Sequence, residues 1–135
     1  MRTTAQKKKQ SLLKKMCISR CLTESYDQSL PTTSVVIVFS DEAFSTLMRT
    51  VTSVFNRTPP HLLSDVILVD DNSTRNHLKG KLERYLATKF PTEKIRLARL
   101  SQRVGLIKAK LLGGHLATGD VITFLDSHCE VANYW

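Results

Sequence analysis

Along the chain, short unbroken apolar runs take turns with longer stretches in which apolar residues recur every three or four positions. Ser34-Val35-Val36-Ile37-Val38-Phe39 is a continuous β-branched run of the kind buried on both faces of a sheet. Behind it, Ala43, Leu47, Val51, Val54 and Phe55 fall on one helical face, and Thr58-Pro59-Pro60 stops that helix. Val66-Ile67-Leu68-Val69 is the next run, closed by Asp70-Asp71-Asn72-Ser73. Leu78, Leu82, Tyr85 and Leu86 mark a second amphipathic helix that ends before Pro91. Ile95–Arg99 alternates as a short strand, and a third helix is predicted over Leu106–Leu116, with Gly113-Gly114 weakening its end. Val121-Ile122-Thr123-Phe124-Leu125 is the last run, closed by Asp126-Ser127-His128. Strand and helix in strict alternation predict an α/β fold, with right-handed βαβ units on a mostly parallel sheet of about four strands flanked by helices. Ligands of such sheets sit beyond the carboxyl ends of the strands. The chemistry is therefore expected at Phe39-Ser40-Asp41-Glu42, Asp70-Asp71 and Asp126-Ser127-His128.

Composition changes this picture little. The 135 residues are 41% apolar and 24% charged, which excludes collagen-like, low-complexity and wholly disordered chains. No run approaches the ~20 apolar residues that span a bilayer, and no signal peptide pattern is visible. The net charge of +8 changes meaning once it is located. Residues 1–20 carry seven basic side chains (Arg2, Lys7, Lys8, Lys9, Lys14, Lys15 and Arg20) and no acid, leaving 13 basic and 12 acidic groups in the rest. Residues 1–30 accordingly read as a basic, disordered tail or stem, and 31–135 as the folded domain. With no aromatic among the lysines, specific nucleic-acid binding is not expected. Cys17, Cys21 and Cys129 form no disulfide framework. Cys17 and Cys21 resemble half a zinc site, but no second Cys or His pair matches them. One disulfide with a free thiol and three free thiols both remain open.

All three of these strand ends carry carboxylates. The turn Ser40-Asp41-Glu42-Ala43 has no glycine, so neither a dinucleotide fingerprint nor a P-loop is present. A phosphate ligand here needs a cation to screen it. Asp126 and His128, two apart in what reads as an extended strand exit, offer a carboxylate and an imidazole, a donor set suited to Mn²⁺. The same pattern serves equally a loop aspartate capping an amide beside a surface histidine. Asp71 can accept from a base N–H or a ribose hydroxyl, or cap a helix. Arg103, before Gly105 at the start of the third helix, can reach phosphate or lie free on the surface.

Leu30-Pro31-Thr32-Thr33-Ser34-Val35-Val36-Ile37-Val38-Phe39, Glu42-Ala43-Phe44-Ser45-Thr46-Leu47 and Arg49-Thr50-Val51 resemble the polypeptide N-acetylgalactosaminyltransferases. So do Asn56-Arg57-Thr58-Pro59, His61-Leu62-Leu63, Ile67–Asp71, Gly105–Ala109 and Thr123–Glu130, in the same order. The resemblance covers residues 21–135. It implies a Rossmann-like GT-A half-domain that binds nucleotide sugar, UDP-GalNAc or UDP as ligand, and retaining transfer to protein Ser or Thr hydroxyls. By matched position it implies Asp71 and Arg103 at the nucleotide and Asp126 and His128 at Mn²⁺. Two departures stand out. Ser40-Asp41 replaces the usual His-Asn, so the nucleotide-contacting imidazole is a serine here, and Val104 replaces an acidic or polar residue. The family's third metal-ligand histidine, acceptor-binding half, donor loop, lectin domain, membrane anchor and the disulfide partner of Cys21 find no match in these residues. The expectation is thus a chain inactive by itself, self-associating through apolar surface its missing half would cover. A Golgi location is expected only within a longer product and a cytoplasmic one otherwise. A non-catalytic pseudoenzyme or regulatory interaction protein on the same scaffold is the alternative.

Overall fold

The computed structural model describes residues 29–133 and Trp135, and Pro31–Trp135 forms one compact unit. The basic stretch 1–20, Cys17 and Cys21 lie outside the described residues.

Among the described residues four strands and three α-helices alternate: β1 Thr33–Phe39, α1 Phe44–Arg57, β2 Leu63–Asp70, α2 Gly80–Lys89, β3 Ile95–Arg99, α3 Leu106–Leu116 and β4 Val121–Asp126. All neighbouring strands pair in parallel, in the spatial order β3-β2-β1-β4. The predicted α/β fold is present with its elements in the expected places. One element was not read from the pattern, a 3₁₀ turn at Asn76–Leu78. Leu78 therefore packs from that turn, ahead of α2.

The unbroken apolar run of β1 has the predicted cause. Val35, Ile37 and Phe39 point into a core with Leu47, Met48, Val51 and Val54 of α1 and with Leu78, Leu82 and Leu86, while Val36 and Val38 face Ala109 and Leu112 of α3. Helices thus cover both faces, and only a strand apolar at every position fits between them. β2 begins earlier than its apolar run suggests, because Asp65 is buried within it and accepts bonds from Arg96 and from Thr118 Oγ1 (2.8 Å).

The glycine pair does not shorten α3, which runs to Leu116. A Cβ on Gly113 would stand 2.3 Å from Val36 Cγ1, so this residue lets the helix backbone lie against the sheet. β4 is an edge strand whose Val121, Ile122 and Phe124 are exposed, beside the exposed Leu106, Ile107 and Leu111 of α3. Among the described residues no helix is long and apolar enough to cross a membrane.

Candidate functional site

The chain steps from β1 to β2 to β3 in one direction and returns to place β4 on the other side of β1. The strand order reverses between β1 and β4, and the crevice at their carboxyl ends is where an open α/β sheet receives its ligand. Register pairs Val38 with Asp126, so the ends of β1 and β4 stand level. The loop 40–43 after β1 and the turn 127–128 after β4 flank that crevice.

Each carboxylate there has a distinct environment. Asp70 is buried and tied to Arg99 and to the Ser73 amide, 2.8 Å away, which makes it a fastening between β2, β3 and the following loop. Asp71 is only 4% exposed, and its two oxygens accept the backbone N–H groups of Val104 (2.8 Å) and Gly105 (3.0 Å). Both amides precede Leu106, so Asp71 fastens the loop that leads into α3 rather than capping a helix. Gly105, with φ 86°, turns the chain so that both amides meet one carboxylate.

The same loop delivers Arg103 to the crevice. Its guanidinium, 60% exposed, donates to Ser40 Oγ and lies 3.5 Å from Asp41 Oδ2. Asp41, with φ 52°, accepts from the Thr74 amide (2.6 Å) and the Arg75 amide (3.1 Å). The Thr74 amide above all holds the Asp41 carboxyl below the usual carboxylate range, with Arg103 adding to the effect. Ser40 in turn donates to the Asp71 carbonyl oxygen at 3.1 Å. Ser40, Asp41, Asp71 and Arg103, distant in sequence, are thus one network.

On the β4 side the strand stops at Asp126, and Ser127 and His128 form a turn, so the extended alternation read from the sequence does not continue to His128. Asp126 is exposed, and its carboxylate has no hydrogen-bond or ion-pair partner among the described residues. The turn is held from α1. Thr50 Oγ1 lies 2.8 Å from the Ser127 carbonyl oxygen and 2.7 Å from that of Cys129. Ser53 Oγ accepts from the Val131 amide, and Arg57 pairs with Glu130 at 2.7 Å. Cys129 carries a free thiol.

Glu42, quoted in the sequence without a role, joins the two halves. Its Oε1 accepts from the Ala43 amide (2.9 Å), and its Oε2 accepts from Ser127 Oγ (2.7 Å) and faces His128 Nδ1 at 3.3 Å. The Ser127 hydroxyl is the main reason its carboxyl lies below the usual range, against the opposing effect of burial. Only the 3-2-1-4 strand order brings residue 42 to residue 128. No local signal could have found it.

Among the described residues no cluster of three or more His, Cys, Asp and Glu side chains forms a metal cage. The unpartnered Asp126 carboxylate and the 65% exposed His128 ring are nonetheless a coherent pair of donors for a borderline divalent ion.

Residues 34–135 match the model of glycosyl transferase family 2. Polypeptide N-acetylgalactosaminyltransferase 10 of Homo sapiens is 51% identical over 115 residues, 85% of this chain and 19% of that protein. Polypeptide N-acetylgalactosaminyltransferase 3 of Drosophila melanogaster is 52% identical over 116 residues, 85% of this chain and 17% of that protein. The crystal structure of GalNAc-T7 with UDP, GalNAc and Mn²⁺ superposes with a TM-score of 0.78 at 47% identity, over 82% of this chain and 20% of that one. The chain thus spans about a fifth of the length of these relatives. A reversing parallel sheet, acids at three strand ends and this extent of sequence identity lead to one conclusion: the chain belongs to glycosyl transferase family 2 and is homologous, over one GT-A segment, to the polypeptide N-acetylgalactosaminyltransferases.

Proposed function

We propose that the chain binds UDP-GalNAc or UDP through Mn²⁺ held by Asp126 and His128, with Arg103 and Asp71 serving the nucleotide. The observation that carries this reading is the unpartnered Asp126 carboxylate, level with the end of β1 and two residues from an exposed imidazole, at the point where the strand order reverses. The GalNAc-T7 structure, which contains UDP, GalNAc and Mn²⁺, supports it at 47% identity.

Bound there, Mn²⁺ supplies Lewis-acid neutralisation of diphosphate charge. The chain's own residues do the rest. Arg103, carried on a loop fixed by Asp71, offers guanidinium donors to phosphate oxygens once it leaves Ser40 and Asp41. Asp71 keeps its second lone pairs for a nucleoside donor while holding the loop amides. Ser40 presents a single hydroxyl where the family resemblance has an imidazole. By the family resemblance, transfer to Ser or Thr hydroxyls of a protein acceptor and a Golgi location are proposed only for a longer product that contains this segment. With two donors among the described residues the metal would be loosely held, so these residues are expected to bind donor without transferring sugar.

A second reading, a non-catalytic interaction protein, draws on one observation: Arg103 is already engaged by Ser40 and Asp41. Calorimetric titration with UDP separates the two. Binding that requires Mn²⁺ and disappears in Asp126→Ala supports the first, and no binding with or without Mn²⁺ supports the second. In parallel, UDP-GalNAc, Mn²⁺ and a Thr-rich peptide should give no gain in peptide mass. Sustained product, lost in Asp126→Ala, would overturn the expected inactivity.

A further inference from the structure

We infer that Glu42 is a positioning residue for His128, fixing the ring so that its Nδ1 carries the proton and its Nε2 is left bare as a metal donor; this rests on the reading of Asp126 and His128 as metal ligands. An ionised carboxylate can only accept hydrogen bonds. Glu42 Oε2 stands 3.3 Å from His128 Nδ1, so their contact is a hydrogen bond only when Nδ1 bears hydrogen. A neutral imidazole carries one proton, and with Nδ1 protonated the lone pair lies on Nε2. Carboxylates set behind a ligating histidine in this way select the tautomer and raise the ring's basicity.

Two further contacts hold the carboxylate itself in place, and a third holds the turn it faces. Glu42 is anchored through Oε1 to the Ala43 amide, where α1 begins, and through Oε2 to the Ser127 hydroxyl. The turn bearing His128 is gripped on the same helix by Thr50, at the carbonyls on either side of the histidine. Backbone and ring of His128 are therefore referred to one rigid element, and positioned groups on such elements are the ones that hold geometry. Asp126 has no comparable partner among the described residues, so the imidazole is the oriented member of the pair.

The test reads the tautomer directly, without metal. Long-range ¹H–¹⁵N spectra of labelled protein at pH 8, with His128 assigned by its loss in His128→Asn, should show Nδ1 protonated and Nε2 bare. Glu42→Ala should shift the ring towards Nε2–H, whereas Glu42→Gln, whose amide oxygen still accepts, should retain the Nδ1–H form. Ser127→Ala removes the other bond to Glu42 Oε2 and should leave the tautomer unchanged, which separates ring orientation from general support of the turn. Free Mn²⁺ measured by electron paramagnetic resonance in the presence of UDP should show affinity about 10–100-fold weaker in Glu42→Ala, with a smaller loss in Glu42→Gln. An Nε2–H ring in the wild type, or a tautomer that ignores Glu42→Ala, overturns the inference. A wild-type ring with Nδ1–H that binds no Mn²⁺ upholds the role of Glu42 and sinks the metal reading instead.

Discussion

Asp41 sits where opposing requirements meet. Its carboxylate joins the end of β1 to the loop at Thr74 and Arg75, and it also draws on Arg103, an exposed guanidinium at the crevice suited to a diphosphate. Asn at this position keeps an acceptor for the Thr74 amide and removes the negative charge beside Arg103. Asp41→Asn should therefore tighten UDP binding modestly, as expected for loss of an exposed, solvent-screened ion pair, and unchanged or weaker binding in a titration would show that Arg103 is not restrained there. Ser40→His should also strengthen UDP binding if the family resemblance holds at that residue. Acid should act through the same loop. Asp41 and Glu42 have folded pKa values below their ordinary ones, so the stability they contribute is present above the unfolded value near 4 and is lost as pH falls through the lower folded values. Denaturation midpoints measured between pH 7 and pH 3 should fall, and fall less steeply in Glu42→Gln. The roles of Ser40 and Arg103 were only partly legible in the sequence, because motif position brings them near a ligand but gives no sign that they bond each other across 63 positions.

At the scale of elements, the apolar pattern located the strands and α-helices of the described residues, since a strand covered on both faces must be apolar throughout and a covering helix must be apolar on one side. What it could not show was what polar residues on those helices hold. Thr50, Ser53 and Arg57 lie on one face of α1, and each bonds the segment after β4. By spacing alone they are ordinary helix positions. Thr50 is fully buried, and Thr50→Val keeps the shape while leaving the buried Ser127 carbonyl and the part-buried Cys129 carbonyl without that hydroxyl. A cost of about 1–3 kcal/mol in chemical denaturation is expected, together with weaker Mn²⁺-dependent UDP binding through a loosened His128 turn. The glycines of α3 give a sharper contrast. Alanine at Gly113 would drive a methyl group into Val36, costing about 1–3 kcal/mol despite its better helix propensity. Alanine at Gly114 meets only ordinary contacts, 3.7 Å from Phe124, and should stabilise by about 0.5–1 kcal/mol. Equal effects of the two substitutions would contradict the close approach of α3 to the sheet.

At the largest scale, the unit Pro31–Trp135 pairs a well-covered centre with one side that is apolar and exposed. Ile107 is 84% exposed, and with Leu106, Leu111, Val121, Ile122 and Phe124 it leaves apolar surface along α3 and the open edge of β4. Edges and patches of this kind associate. Light scattering across a concentration series should show self-association that Ile107→Lys with Leu111→Lys reduces, and a monodisperse monomer at all concentrations would contradict this. Removing residues 1–20, with their seven basic groups, should abolish salt-sensitive polyanion binding and leave the response to UDP intact. The central claim is that donor binding is metal-linked and resides at the reversal of strand order. The thermal midpoint of the full chain, measured with UDP in the presence and absence of Mn²⁺, tests it most directly. A ligand at 100 times its Kd stabilises by about 2.7 kcal/mol, so UDP with Mn²⁺ should raise the midpoint by several degrees, UDP alone should do little, and Asp126→Ala should abolish the shift. A midpoint indifferent to UDP and Mn²⁺ together, or a shift that survives Asp126→Ala, would contradict the account.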